Sequence, residues 1–358
     1  LNTNSDIQYF FSEHMNLTQS MIAGRANILL YSIFKTLPLG SKIIFPAVMC
    51  PSPLFMALYA GMKPVLVDID STNGLIDIEK VKKTIVSDPL IKAVLSVNLY
   101  GQRPLNEILF PTCQEKSILL IEDAAQWWSP RSLGKNVDIC VTSFGGKKII
   151  DCGGGGIALT NDPLLKTLVE AELEKIIFSP IEKIRTLSQH YQSFYYLLQS
   201  CEKSMPGFQK KFAQFAYDFK DLYFPDNYCL KLEHILKGLQ EYTANLKQRA
   251  YWASKYDEYF KTTELFESTK NPNKVEGPWR YSVLYRGKNR EHFVEYLRTH
   301  KIDVSCWYPS LEMLGFNFSS SDLKNGERFG RDVINFWVED MTEKKFENII
   351  DTIRKFKE

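Results

Sequence analysis

Between about residues 20 and 165 the chain alternates short apolar runs with amphipathic stretches, and this alternation restricts the fold more than any other feature. The runs lie at Lys42 to Phe45, Pro64 to Ile69, Ala93 to Leu99, Ile118 to Ile121, Ile139 to Ser143 and Gly156 to Thr160. Stretches between them, such as Ile78 to Val86, are apolar on one helical face only. Strands that are apolar on both faces need cover on both sides, and crossover helices supply it. The pattern therefore predicts an α/β fold with a mostly parallel sheet between helical layers. Such a sheet presents ligand-binding residues beyond the carboxyl ends of its strands.

Two of these strand ends carry chemistry. Ile118-Leu119-Leu120-Ile121 leads into Glu122-Asp123-Ala124-Ala125-Gln126, and Asp138 to Thr142 leads into Ser143-Phe144-Gly145-Gly146-Lys147-Lys148. A carboxylate, an amide, a hydroxyl and an amine at successive strand ends meet the needs of a pyridoxal phosphate site. The amine joins the cofactor aldehyde, and the carboxylate keeps the ring nitrogen protonated so that the ring accepts electrons. The bland alternative for Asp123 is a strand-end carboxylate capping a turn. Glu122 alternates to the other face of its strand. Gly153-Gly154-Gly155-Gly156 lacks both the Lys-Ser/Thr ending of a P-loop and the spacing of a dinucleotide fingerprint, so it reads as a close backbone approach beside the lysine loop.

The constellation resembles the DegT/DnrJ/EryC1/StrS aminotransferases, which make amino sugars from nucleotide-linked keto-sugars. The likeness extends over nearly the whole chain. It begins at Ala23-Gly24-Arg25-Ala26, opening a helix, and continues through Ile43 to Ser52, Gly61 to Asp70 and Asn98-Leu99-Tyr100-Gly101-Gln102. The Glu-Asp-Ala-Ala-Gln and Ser-Phe…Lys segments follow at family spacing, then Asp226-Asn227-Tyr228 at the start of a later helix, and Trp307-Tyr308-Pro309 as a small-domain strand exit. The resemblance implies the type I fold of pyridoxal phosphate enzymes: a large domain over 1–225, with 165–222 as an aromatic-rich helical insertion, and a small α+β C-terminal domain over 226–358. Leu230 to Tyr259 reads as the bridging helix. Arg280 to Tyr285 and Ile302 to Trp307 read as small-domain strands, and Thr342 to Phe356 as a closing helix.

The resemblance also assigns roles. The family motif selects Lys148 as the Schiff-base lysine, which anchors the cofactor and then moves the proton. Asp123 faces the pyridinium nitrogen, and Gln126 the phenolic oxygen. Gly24, Arg25 and Ala26 at a helix start, with Ser143, hold the phosphate. Asn227 reaches the neighbouring subunit's phosphate, which implies a homodimer with shared sites; on its own, Asp-Asn-Tyr after a proline reads as a helix cap. Cys50 stands where many members place an aromatic ring against the cofactor. Asn98, Tyr100, Tyr308 and Glu312 are candidate substrate residues. Asn98, Cys229 and Glu312 each depart from a common family residue, so the cofactor site looks intact and the substrate site altered.

Composition adds exclusions. The 358 residues are 44% hydrophobic and 24% charged, with a net charge of +2 and no basic tract, which gives no reason to invoke nucleic acid. No apolar run approaches a membrane span and the N-terminus lacks a leader pattern, so a cytoplasmic protein is expected. Seven scattered cysteines without a C-x-x-C pair read as reduced thiols, and five separated histidines predict no metal. The expected reaction transfers an amino group from glutamate or glutamine to a keto-sugar through pyridoxamine phosphate. Two alternatives are a non-sugar cyclic ketone as acceptor and a catalytically diverged binding protein. For 165–222, the plain alternative to lining the substrate mouth or a dimer contact is a helix pair packing its aromatic side on the large domain.

Overall fold

The computed structural model of the chain describes residues 3–200, 214–226, 230–269, 277–312 and 322–358. Its large sheet has seven strands: β1 (Gln19–Ala23), β2 (Lys42–Pro46), β3 (Lys63–Val67), β4 (Ile91–Val97), β5 (Leu119–Asp123), β6 (Ile139–Ser143) and β7 (Gly156–Thr160). Their order is β1-β7-β6-β5-β4-β2-β3. The strands from β3 to β6 run parallel, whereas β7 is antiparallel to both β6 and β1. The mostly parallel sheet read from the sequence is thus present, with β1 an additional strand that its polar start (Gln19, Ser20) conceals. Pro64 lies in the edge strand β3, where a missing N–H disrupts no further ladder.

Alternation along these strands feeds two helical layers. Ile43, Phe45, Leu95, Ile121 and Val141 pack with α2 (Ala26–Lys35) and α3 (Ser52–Tyr59). Ile44, Val94 and Leu120 face the other way, onto α4 (Ile78–Ser87) and α5 (Asn106–Glu115). Asp77 starts α4 by accepting the Lys80 backbone N–H, and Asp162 with Pro163 starts α6 (Pro163–Leu173). The segment then runs on through α7 (Ile181–Ser200). Phe215, Phe219, Tyr223 and Phe224 are buried in the same core as α2 and α3, with Phe224 edge-on to Tyr31 at 5.0 Å. These four aromatic residues are therefore packed on the large sheet's helical layer.

A long helix, α8 (Leu232–Phe260), connects the two halves. At 1.5 Å per residue it spans about 43 Å. Ile235, Leu239, Tyr242 and Leu246 pack with β6, β7 and α1 (Thr3–Met15). Trp252, Tyr256 and Phe260 pack in a second core under the small sheet. The long helix begins at Leu232, and the helix start read at Asp226-Asn227-Tyr228 falls largely on residues 227–229, outside the described ones.

The small sheet comprises β8 (Phe266–Ser268), β9 (Tyr281–Tyr285), β10 (Val304–Ser305) and β11 (Val333–Phe336), antiparallel in the order β10-β11-β9-β8. Helices α9 (Arg290–Thr299), α10 (Lys324–Asp332) and α11 (Glu343–Lys355) accompany it. The strand expected over Ile302 to Trp307 contracts to two paired residues. Past Ser305, side chains take over the backbone bonding: Trp307 N–H donates to Ser305 Oγ, and Asn335 Nδ2 donates to the Trp307 carbonyl. The chain then turns onto the large domain, where Leu311 N–H donates to the Ala47 carbonyl at 2.8 Å. A second tether lies nearby. The Asp68 carboxylate, beyond β3, accepts the N–H groups of Gly326 (2.8 Å) and Asn325 (3.3 Å) at the start of α10, and an ammonium bond from Lys80 (2.8 Å). A carboxylate at a helix N-terminus satisfies donors the helix itself leaves open.

Candidate active site

Strand register places the first two groups. Asp123 of β5 pairs with Val141 of β6, and Ser143 lies two residues further along β6. Both therefore project on the face that carries Ile121, Val141 and α2. Asp123 is 6% exposed, and its carboxylate takes a single hydrogen bond among the described residues, from the Ala125 N–H at 2.9 Å. Burial pushes its carboxyl above the ordinary carboxylate range, the Ala125 bond and the Lys148 charge pull it back, and Glu122 adds to the rise. The 123 and 148 charges thus sense one another.

Lys148 sits in a turn after β6, its N–H bonded to the Gly145 carbonyl at 3.2 Å. The turn is held from both sides: Asp151 accepts the Lys147 N–H at 2.7 Å, and Trp279 Nε1 donates to the Lys147 carbonyl at 2.6 Å. Lys147 has φ 63° and is exposed, while Lys148 is half-buried. The lysine that the family motif selects, Lys148, is also the less exposed of the two. The Lys148 amine makes no hydrogen bond or ion pair to a described residue. Trp279, in the loop before β9, is a supporting residue that no motif identifies.

Gln126 and the small-domain exit complete the wall. Gln126 Oε1 accepts the Tyr100 N–H at 2.7 Å, but by geometry its buried Nε2 has no hydrogen-bond partner among the described residues. Tyr100, at φ 55°, stacks on Phe329, and its hydroxyl accepts the Tyr308 N–H at 3.0 Å. It acts as a brace between the domains. Tyr308 is buried, and its hydroxyl is raised well above the ordinary phenol range by burial first, then by the Cys50, Tyr100 and Asp123 groups facing it. Cys50 is half-buried, with Sγ 3.1 Å from Ser52 Oγ. Burial first raises the Tyr191 and Tyr223 hydroxyls, and Cys50 adds a smaller push to both. Motif reading does not reveal them, because both belong to a segment whose aromatic content reads equally well as packing.

The start of α2 leaves backbone N–H groups without a side-chain cap, with Arg25 as the extended N-cap residue (φ −151°). Gly155 N–H donates to the Gly24 carbonyl at 2.7 Å. A Cβ on Gly156 would come within 2.4 Å of the Ala26 Cα, and one on Gly24 within 2.8 Å of the Asp226 carbonyl. Only glycine lets the lysine-loop strand and the opening of α2 lie this close. Ser143 Oγ, half-buried, accepts the Gly145 N–H at 3.3 Å. Asn227 lies outside the described residues.

One substrate candidate falls elsewhere. Asn98 is fully buried on the opposite face, because Val97 is the register partner of Asp123 and Asn98 is one residue on. Its Nδ2 donates to Glu122 Oε1 (2.8 Å) and to the Trp127 carbonyl (3.2 Å). Glu122, with no exposed surface, also accepts from Arg103 Nε at 2.7 Å and Gly134 N–H at 2.8 Å. Asn98 thus belongs to a buried ionic network beneath the site, which strand parity alone could have indicated. Glu122→Gln should lower unfolding free energy by about 3 kcal/mol, since it strands the Arg103 charge. Urea denaturation checks this; a loss below about 1 kcal/mol would show that the pair contributes little. Glu312, half-buried, is the last described residue before 313–321.

Among the described residues, Asp123 is a buried carboxylate with no ion pair, Gln126 Nε2 a buried donor with no partner, and Lys148 an amine with no hydrogen bond, while no side chain caps the start of α2. Among the described residues no three His, Cys, Asp or Glu side chains converge as a metal site, and no helix is long and apolar enough to cross a membrane.

Comparison with known proteins agrees with this arrangement. The model of the DegT/DnrJ/EryC1/StrS aminotransferase family matches residues 22–211. GDP-perosamine synthase of Caulobacter vibrioides is 35% identical over 127 residues, which is 34% of each chain; the match spans about a third of that relative's length. A DegT/DnrJ/EryC1/StrS aminotransferase from Brucella abortus shares the fold with a TM-score of 0.75 and 16% identity, covering 99% of this chain and 90% of that one. The E. coli GDP-4-keto-6-deoxy-D-mannose-3-dehydratase with bound hydrated pyridoxal phosphate shares it with a TM-score of 0.70 and 15% identity, over 98% and 92% of the two chains.

Proposed function

The chain belongs to the DegT/DnrJ/EryC1/StrS aminotransferase family, and from that premise we propose that it moves an amino group from glutamate or glutamine to a nucleotide-linked keto-sugar. Its cofactor is pyridoxal phosphate. The observation that carries this reading is the buried, cation-less carboxylate of Asp123 within electrostatic reach of the unpaired amine of Lys148. When bound, pyridoxal phosphate supplies an aldehyde that takes amines covalently and a ring that holds an electron pair. Lys148 Nζ anchors the aldehyde and, once displaced, carries the proton to and from the substrate carbon. Asp123 keeps its charge opposite the ring nitrogen and so holds a proton there. Gln126 Nε2, a buried donor without a partner among the described residues, would donate to a ring oxygen. Ser143 Oγ and the Arg25–Ala26 backbone N–H groups hold the phosphate.

The nucleotide-linked acceptor draws support from the relatives, since the Caulobacter and E. coli proteins are both named for GDP-linked sugars. Purified protein is to be incubated with glutamate and a panel of GDP- and UDP-linked keto-sugars, with 2-oxoglutarate and amino-sugar nucleotide followed by mass spectrometry. Amino transfer to at least one of them is expected. Transfer only to cyclic ketones without a nucleotide would replace this acceptor, and an intact fold with no amino transfer at all would end the reading.

A further inference from the structure

The peptide groups that bracket Lys148 are each held by a side chain from outside the lysine turn. On one side, Trp279 Nε1 donates to the Lys147 carbonyl at 2.6 Å; on the other, Asn245 Nδ2 of α8 reaches the Ile149 carbonyl at 3.5 Å. A single guanidinium joins these two holders. Arg249, one turn along α8 from Asn245 and 4% exposed, donates from Nε to Asn245 Oδ1 at 2.6 Å and from Nη1 to the Trp279 carbonyl at 2.8 Å. Arginine's rigid fork serves both acceptors at once, which an ammonium on a flexible stem does not. Glu339, between β11 and α11, fixes the fork from behind. Its Oε2 accepts from Arg249 Nη1 at 3.1 Å and from Arg280 Nη1, and the Arg280 guanidinium lies over the Trp279 and Trp337 rings. The turn needs such holding, because Lys147 sits in the left-handed region at φ 63°, where residues other than glycine rarely stay unaided. Packing fixes only the base of the turn, with Ile149 and Ile150 buried against Leu239 and Tyr242 of α8.

We propose that Arg249 is a positioning residue for the catalytic lysine. Through Trp279 and Asn245 it sets the carbonyls on either side of Lys148, and so aims Nζ toward the side on which its charge and that of Asp123 sense one another. It acts through these residues rather than on the reacting atoms. Trp279 and Glu339 both flank strands of the small sheet, so the aim of the amine follows how that sheet seats on α8. The proposal rests on Lys148 being the amine that takes the cofactor.

Trp279→Phe removes the indole donor and keeps a ring beside Arg280, and Arg249→Lys keeps a charge for Glu339 while losing the fork. Folding of both is checked by circular dichroism. Pyridoxal phosphate, whose aldehyde joins the lysine, is mixed with cofactor-free protein and the growth of the lysine-linked absorbance band is timed. Pyridoxamine phosphate, which carries an amine in place of the aldehyde and cannot join the lysine, is titrated in parallel. Each variant should form the band about tenfold more slowly or worse, because a slightly misplaced reacting group is costly. Its affinity for pyridoxamine phosphate should stay within about twofold of the parent's. Asn245→Ala, at a half-buried position, should act in the same direction from the other carbonyl. Band formation at the parent rate in Trp279→Phe would overturn the proposal, and the parent rate in Arg249→Lys would remove Arg249 from it. A parallel loss of pyridoxamine phosphate affinity would also overturn it, since that marks general loosening of the site. Should Arg249→Lys not fold, Trp279→Phe and Asn245→Ala decide between these results. A parent protein that forms no band at all would bring down the proposed function, and this proposal with it.

Discussion

Lys148→Ala should abolish the absorbance band of the lysine-linked cofactor and lower turnover by at least about 10³-fold. One amine serves as covalent anchor and as proton carrier, and the acid–base role alone is worth roughly 10²–10⁴. The neighbouring Lys147→Ala is the internal control. Lys147 is exposed and its backbone, rather than its amine, is what Asp151 and Trp279 hold. Its removal should leave both the band and the turnover near the parent's. Measuring 2-oxoglutarate formation beside the visible spectrum for the two variants decides the assignment. A reversed pattern would move the catalytic amine to position 147.

The second expectation concerns Asp123, where stability and activity should part. Asp123→Asn removes the buried charge opposite the ring nitrogen. Breaking such a pair costs about 3–5 kcal/mol, equivalent to roughly 10²–10⁴ in turnover. Without cofactor the same change should be stabilising. Burial raises the Asp123 carboxyl in the folded protein. The folded state therefore holds this proton more tightly than the unfolded state, and stability falls as pH rises from the ordinary carboxylate range through the raised value. Below that window parent and variant should match. Above it the cofactor-free variant should be more stable by about 1–2 kcal/mol. Saturating cofactor should reverse that order. Urea titrations at acid and neutral pH, with and without cofactor, test both halves; a variant less stable in every condition would mean that Asp123 holds the fold rather than the ring.

The sequence is most legible where local pattern and tertiary demand coincide. β6 and β7 lie where the apolar runs place them, and Asp77, Asp162 and Thr342 start their helices as N-caps. Legibility fails where pairing is non-local. Strand β1 is an edge element with a polar start, and β11 follows α10 directly, with no turn residue between Asp332 and Val333 to announce it. Helix α10 contains Gly326 and Gly330, poor helix formers that are kept by packing. A Cβ at Gly330 would come within 2.5 Å of the Ser310 backbone nitrogen. In the site, Asp123 and Ser143 are readable from strand ends, but Asn98 is carried to the other side by a single residue of parity. Tyr191 and Tyr223 belong to a segment whose own pattern says only amphipathic helix. Their place near Cys50 depends on how the chain returns from the sheet.

The bond from Gly155 to the Gly24 carbonyl ties the strand leaving the lysine turn to the opening of α2. On the proposed function, the amine and the phosphate grip are gauged against one another by main chain at this seam. Selection could hardly alter that spacing by ordinary substitution, so new acceptor preferences in this lineage should arise from the parts that merely lean on the seam: the helix bearing Tyr191 and the strand exit bearing Tyr308.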